Sequence, residues 1–404
     1  MADERGFQQA VREGAAVFAS LAQHEVFLFH HNDADGLSSG AILAQAIERK
    51  GLRLRRFCLE KPYPEVLRAI IQDPEVRPDT VLVFADFASG MLRQLLEINA
   101  AQLPLFVIDH HALEQAKGDN LYVINCTQFG IDSDPACSAS AISYLFAHAL
   151  SPLNEDLAAL GVVGAVGDGL FSSDGKMCGI NAISALAAEQ NGSLKLVEGE
   201  YFLARPDWVS ARTVANELNA LGGFGYFRGG PDVGVKGLRD GRNAAFSTFA
   251  QEFRAEFERA FDLFTQTQFL HKGHNVQWFI LDSQFKTFGV KSVGLVCEEL
   301  IRRNLVDAGT YLAGFQVVPD EIPGLGIVKL QQTKVSMRLP ERIKADVLAG
   351  KAPSLARVLP EATRKVDGFI DACHPHAAAT TIRQGDERKL IAALEVAISS
   401  SRAS

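Results

Sequence analysis

The chain has 404 residues, 47% of them hydrophobic, and 40 Lys and Arg stand against 48 Asp and Glu for a net charge of −8. Length and apolar content exclude disordered and fibrous classes and imply roughly two to three domains with real cores. The acidic balance argues against a protein that holds long nucleic acid by overall charge alone. The charged start, MADERGFQQAVREG, has no apolar leader and the six cysteines form no CxxC pair. No run of about 18 apolar residues occurs. A soluble, unexported, cytoplasmic protein with reduced thiols and no membrane partner is therefore expected.

In chain order, apolar β-rich runs at Val26–His30, Leu52–Cys58, Thr80–Ala85, Leu105–Ile108 and Leu121–Ile124 alternate with helix-like stretches at Leu37–Lys50, Glu65–Gln72 and Met91–Asn99. Crossovers of that length join parallel strands, so the first domain is predicted as an α/β fold, doubly wound around a mostly parallel sheet. Residues 139–189 read helical and close this domain, which is predicted over 1–190. A helical connector is predicted over 191–272. It holds a glycine-rich stretch, GGFGYFRGGPDVG, and phenylalanines at 246, 249, 253, 257, 261 and 264, whose spacing sets all six rings on one helical face as a packed stripe. From 273 to 404, β and α runs resume (VQWFILD, GVKSVGLVCEELIRR, YLAGFQVV, LGIVKLQQTKVSMRL) and predict a smaller C-terminal α/β domain.

The chemistry-bearing residues fall where open α/β sheets place ligands, at the carboxyl ends of strands. HHNDADG after the first strand gives His31, Asp33 and Asp35 in alternation, and VFADFA after the third gives Asp86. VIDHHAL after the fourth gives Asp109, His110 and His111, and AVGDG gives Asp168 after an apolar helical run. One Asp after a strand is usually a helix cap or a turn residue; four acidic elements in order are not explained that way. So many carboxylates on one sheet edge repel one another by on the order of several kcal/mol unless cations neutralise them. Carboxylate and imidazole donors without thiolate favour Mn²⁺, with Mg²⁺ as the alternative. Two ions about 3.5–4 Å apart, sharing one carboxylate, would use all these ligands and suit in-line displacement at phosphorus.

Taken in order, HNDADG, ADF, DHH and GDG resemble the four motifs of the DHH phosphoesterase superfamily. That superfamily includes RecJ-type single-strand exonucleases, small-oligonucleotide phosphodiesterases, cyclic-dinucleotide phosphodiesterases and, more distantly, manganese pyrophosphatases. The resemblance covers the N-terminal domain through Gly169. It implies that His31 and Asp33 hold one metal, that Asp35, His110 and Asp168 hold the other, and that Asp86 bridges them. It also implies that His111 contacts the scissile phosphate and that Asp109 orients an imidazole by hydrogen bonding. The C-terminal part is similar to the DHH-associated domain, which in the family folds over the metal cleft and grips substrate; the matching pieces are TKVSMR and CHPHAAATTI. Strand alternation sets Val335, Met337 and Leu339 on one face and Lys334, Ser336 and Arg338 on the other. The second face is either a solvated polar side or, as the resemblance implies for Ser-x-Arg, a contact to substrate phosphate or base. His374 falls at the histidine of the family's GGH motif. Asp371, Ala372 and Cys373 stand in place of the preceding glycines, which would let a backbone approach a ligand closely.

The implied function is a two-metal phosphoesterase cutting single-stranded or short nucleic acid from an end, with His111 and Arg338 stabilising the phosphoryl oxygens. Two alternatives stay open. One is hydrolysis of a small substrate, such as a cyclic dinucleotide, a 3′-phosphorylated nucleotide or a phosphoanhydride; the other is a non-catalytic replication scaffold, against which the intact ligand set argues. Segment 334–365 has eight Lys and Arg against three Asp and Glu, either a track for a polyanion or a solvated surface. Phe224, Tyr226, Phe227 and Arg228 either stack on bases or pack at a hinge. Gly36, Ser38 and Ser39 either offer backbone N–H groups to a phosphate or form a simple cap. His271 and His274 are not expected to bind metal, and His24 and His148 read as surface or cap residues. No pattern identifies a protein partner or an oligomeric state.

Overall fold

A computed structural model describes residues 2–21, 25–204, 208–241, 244–281 and 283–402, and the chain divides into two compact units, Met1–Phe253 and Arg254–Ser404. His24 lies outside the described residues.

The first unit opens with α1 (Glu4–Ser20), β1 (Glu25–His30), α2 (Ala34–Arg49), β2 (Arg53–Cys58), α3 (Pro64–Ile71), β3 (Thr80–Ala85), α4 (Leu92–Ile98), β4 (Leu105–Asp109) and β5 (Leu121–Asn125). The strands form one parallel sheet in the order β2-β1-β3-β4-β5, the arrangement that the alternating strand and helix pattern predicts. β3 and β4 are buried along their whole length, as parallel strands covered on both faces must be. Because β2 lies outside β1 and β3 lies on its other side, crossovers leave the β1/β3 pair in opposite directions. Such a switch point opens a crevice at the carboxyl ends of the strands.

The unit continues through α5 (Ser133–Ala136), α6 (Ala139–Leu150), α7 (Ala158–Gly167) and α8 (Gly179–Gln190). Three short strands follow, β6 (Leu194–Val197), β7 (Glu200–Leu203) and β8 (Val209–Ser210), then α9 (Ala211–Asn219) and α10 (Gly230–Asp240). The expected separate connector over 191–272 is not one body. Its part up to Phe253 belongs to the first unit, because α9 packs on α7, α10 packs on α2, and Val214, Leu218 and Val235 are buried. Phe224 and Tyr226 of the glycine-rich stretch are buried, and the Tyr226 hydroxyl donates to the Cys58 carbonyl at 3.1 Å. These two rings are packing groups rather than a platform for bases.

Helix α11 (Ala244–Thr265) contributes buried Phe246 and Phe253 to the first unit and buried Phe257, Phe261 and Phe264 to the second. Phe249 is 40% exposed yet stacks on Phe253, so it forms the open edge of the predicted stripe. The second unit then contains β9 (His271–Lys272), β10 (Val276–Ile280), α12 (Ser292–Arg302), β11 (Tyr311–Val317), the hairpin β12 (Glu321–Ile322) and β13 (Gly326–Ile327), and β14 (Gln332–Arg338). It closes with α13 (Glu341–Leu348), α14 (Leu355–Arg364), β15 (Phe369–Cys373), β16 (Ala377–Arg383) and α15 (Glu387–Arg402). A mixed sheet runs β15-β16-β14-β11-β10-β9. On one face Val335, Met337 and Leu339 pack with Leu355, Val358 and Leu359 and with Leu390, Leu394 and Ile398. Among the described residues, no helix is long and apolar enough to cross a membrane.

Candidate metal centre

The ends of β1, β3 and β4 gather the expected acids and imidazoles. Past β1 the chain enters α2, whose N-cap Asp33 accepts the Gly36 N–H at 3.0 Å. That N–H is therefore used in capping, and Ser38 and Ser39 are fully buried. Past β3, Asp86 and Ala88 adopt φ values of 64° and 85°. Left-handed backbone at such residues costs on the order of 1–3 kcal/mol and collects at functional sites. Asp109, at the end of β4, is fully buried; its carboxylate accepts the N–H groups of Ser89 (3.0 Å), His110 (2.8 Å) and His111 (3.2 Å) and His111 Nδ1–H (2.8 Å). Asp35 accepts the N–H groups of Ala139 and Ser140 at 2.8 and 2.9 Å, at the N-terminus of α6 where the helix dipole favours a carboxylate. Helix α7 comes close to this pair because residue 164 is glycine: a Cβ there would collide with Asp35 Oδ1 and Ser140 Oγ.

Two groups of candidate ligands result. Donor atoms of His31, Asp33 and Asp86 lie within 4.8 Å of one another, and so do those of Asp35, His110 and Asp168. Asp86 stands between them, with Oδ2 3.4 Å from His31 Nδ1 and Oδ1 3.4 Å from His110 Nε2. His31 Nδ1 is also 2.9 Å from Asp33 Oδ2. His110 Nε2 is 3.8 Å from Asp35 Oδ2 and 3.7 Å from Asp168 Oδ2. Asp86, Asp109, His110 and His111 form a further cluster, but the Asp109 oxygens already accept four N–H groups, which suits orienting its neighbours.

The His110 tautomer follows from its partners. Nδ1 lies 3.0 Å from the Cys137 carbonyl, which can only accept, so Nδ1 carries the proton and Nε2 presents a lone pair. That lone pair faces three carboxylates. Neither Asp86 oxygen and not His110 Nε2 has a hydrogen-bond partner among the described residues, although all three atoms are buried. Burial, then the charges of Asp33, Asp35, Asp168 and Asp109, push Asp86 well above the usual carboxylate range. Burial, then the charge of His111, push His110 down. Cations among these atoms would relieve both strains, and oxygen and imidazole donors without thiolate suit Mn²⁺ or Mg²⁺. The residues fit divalent metal. His111 differs: partial loss of solvent around the ring opposes its charged form, yet Asp109's charge and hydrogen bond hold it up to about 9, and 55% of the side chain stays exposed.

The other expected site residues belong to the second unit. Lys334 Nζ pairs with Asp371 Oδ2 at 2.8 Å, the two side chains being 13% and 11% exposed, and the Thr381 hydroxyl donates to the same oxygen at 3.1 Å. Ser336 is buried; its Oγ accepts Arg338 Nη1 at 2.9 Å, while Arg338 Nε donates to Glu298 at 2.9 Å. This face of β14 is not an open solvated side, because α12 packs on it and the Cys297 thiol reaches the Ser336 carbonyl at 3.6 Å. His374 is exposed at the turn between β15 and β16, where its N–H donates to the Ala377 carbonyl at 2.9 Å. Arg342, Lys351, Arg357, Arg364 and Lys365 of the basic segment are exposed. His271 stacks on Trp278, and among the described residues no metal-type cluster includes His271 or His274. His148 tilts against Tyr144. Sequence reasoning missed the Cys137 carbonyl, the Ala139 and Ser140 amides, and Asn219, whose side chain accepts the Ala34 N–H at 2.9 Å. It also passed over His30, although the doubled histidine was the signal for it.

Residues 25–165 match the DHH family, N-terminal domain. A stretch of 141 residues, 34% of the chain, is 30% identical to an uncharacterised protein of Methanocaldococcus jannaschii and spans 31% of its length. RecJ from Thermus thermophilus in complex with Mn²⁺ shares the fold with a TM-score of 0.59 and 16% identity, over 96% of this chain and 54% of that one. A structure of exonuclease RecJ bound to manganese gives 0.57 and 15% identity over 97% and 94%. CDC45 from Entamoeba histolytica gives 0.52 and 12% identity over 98% and 99%. The chain thus carries a DHH-family N-terminal domain within a RecJ-like α/β fold.

Proposed function

We propose that the chain is a two-metal phosphoesterase of the cytoplasm that hydrolyses phosphodiester bonds in single-stranded or short nucleic acid. Asp86 carries this reading: it is a buried carboxylate whose two oxygens each stand 3.4 Å from an imidazole nitrogen of a different ligand group. His31 and Asp33 would hold one ion, Asp35, His110 and Asp168 the other, with Asp86 between them. When bound, Mn²⁺ or Mg²⁺ supplies Lewis acidity at the phosphoryl group and makes water a stronger acid. Asp109 engages Nδ1–H of His111 and leaves Nε2–H for a phosphoryl oxygen as negative charge grows there. The same bond fixes the ring, so its proton is presented in one direction. In the second unit, Arg338 has Nε on Glu298 and Nη1 on Ser336 and the Met337 carbonyl, so it would meet phosphate through Nη2, and His374 stands exposed to meet substrate. Lys334 is neutralised by Asp371 and contributes least. The likeness to the structure of exonuclease RecJ bound to manganese supports cutting from an end.

A second reading, hydrolysis of small phosphate compounds, is favoured by the pairing of Lys334 with Asp371 and Arg338 with Glu298, which lowers the positive charge left for a long polyanion. A product time course in Mn²⁺ separates the two. The substrates are end-labelled DNA and RNA as dimers, pentamers and long single strands, with a cyclic dinucleotide and pyrophosphate alongside. Stepwise release of mononucleotides from long strands is expected, together with its loss in Asp86→Ala. Cleavage confined to the shortest compounds would select the second reading, and full activity in Asp86→Ala would end both.

A further inference from the structure

Behind the ligand loop sits an imidazole that the proposed metal centre does not use. His30 is the last residue of β1 and is fully buried. Its Nδ1 lies 2.8 Å from the His31 carbonyl oxygen, and its Nε2 lies 2.8 Å from Arg56 Nη1. A carbonyl only accepts and a guanidinium only donates, so both ring nitrogens are assigned: Nδ1–H donates to His31, and Nε2 accepts from Arg56. The ring is one neutral tautomer by geometry. Arg56 is held from its other side by Asp232 of α10. Gly40 in α2 leaves room for the ring, since a Cβ there would come within 2.7 Å of the His30 ring carbons.

The His31 carbonyl also takes the Cys58 thiol at 3.6 Å. Two further bonds hold the same loop, Asn32 Nδ2 to the Gly222 carbonyl at 2.8 Å and the Ala34 N–H to Asn219 at 2.9 Å. The backbone that presents His31 and Asp33 is thereby fixed from behind, and of the two bonds on the His31 carbonyl the one from His30 is the shorter.

We propose that His30 and Arg56 are positioning residues for the metal centre: Arg56 locks the His30 tautomer, and His30 holds the His31 carbonyl and with it the aim of the His31 ring toward Asp33 and Asp86. The inference rests on the metal reading and deepens it. Outer partners that orient metal-binding histidines change metal affinity by roughly 10–100-fold. Here the contact is to the ligand's own backbone, so the lower end, about tenfold, is expected for removing it.

The test is the Mn²⁺ dissociation constant of the full chain, stripped of metal and titrated by calorimetry and electron paramagnetic resonance, with thermal melts of the stripped proteins. His30→Leu should bind Mn²⁺ about tenfold more weakly. His30→Asn, whose amide N–H can replace Nδ1–H, should recover most of that loss. Arg56→Met, on the sheet's edge strand, should weaken binding, whereas Arg53→Met, exposed on the same strand, should not. A folded His30→Leu that binds Mn²⁺ like the parent, or an Arg53→Met as weak as Arg56→Met, overturns the proposal. Should His30→Leu fail to fold, Arg56→Met decides alone, and unchanged affinity there overturns it. A parent protein that binds no Mn²⁺ removes the metal reading itself, a result distinct from selective failure among the variants.

Discussion

His111 depends on Asp109 more than on any of the residues proposed as metal ligands. Its imidazole is held up to about 9 by that carboxylate's charge and hydrogen bond. In metal-free protein, Asp109→Asn should bring the His111 titration, followed by NMR, back toward ~6.5. A folded-state value raised above the unfolded one contributes stability that is full below ~6.5 and is lost as pH rises through about 9. Metal-free Asp109→Asn should therefore lose less stability across that alkaline window than the parent; an unmoved titration would take Asp109 out of this role. At this scale the motif residues were legible because their chemistry lies in their identity and in their place after a strand. The groups that hold them were not. Asp35 is caged by two backbone amides and His110 by one backbone carbonyl, and every residue carries such groups, so nothing in the letters distinguishes Ala139 or Cys137.

Elements add what spacing alone does not show. Helix α7 reaches α6 and Asp35 through Gly164, so Gly164→Ala should cost about 1–3 kcal/mol by overpacking and should weaken Mn²⁺ binding as well. Urea denaturation and calorimetry on one preparation would check both, and a neutral effect on each would mean that the helices yield easily. Across β14, β15 and β16, the Lys334–Asp371 pair is nearly closed to water. Asp371→Ala would strand an ammonium there and should cost about 3 kcal/mol, the lower end for breaking a buried pair. Lys334→Met combined with Asp371→Leu should recover most of that loss, and equal destabilisation of single and double variants would show that packing, not charge, sets the cost. The alternation along β14 was readable, and Val335 and Met337 do face the core. That α12 would cover the opposite face was not, since the contact joins segments far apart in sequence. The same non-local packing absorbs α9 and α10 into the first unit, and it leaves Phe249, stacked on Phe253, partly exposed at the edge of the stripe.

For the whole molecule, the parallel sheet was legible from five apolar runs separated by crossovers, and its switch point sits where the acids converge. All residues proposed as metal ligands lie in the first unit. Mn²⁺ at about a hundred times its dissociation constant should stabilise the chain by about 2.7 kcal/mol, and a fragment of residues 1–253 should show the same Mn²⁺-dependent rise in melting temperature, reversed by chelation. Loss of the rise in the fragment alone would mean that the second unit helps to build the metal site. Strand β2 bounds the five-stranded sheet, with Arg53 and Arg55 exposed and Arg55 lying over the rings of Phe27 and Phe57. An unguarded border of a sheet offers a row of backbone groups to any extended segment of another molecule. Guanidinium groups along this border make such an addition costly, so at this side the sheet is protected from growing into fibrils.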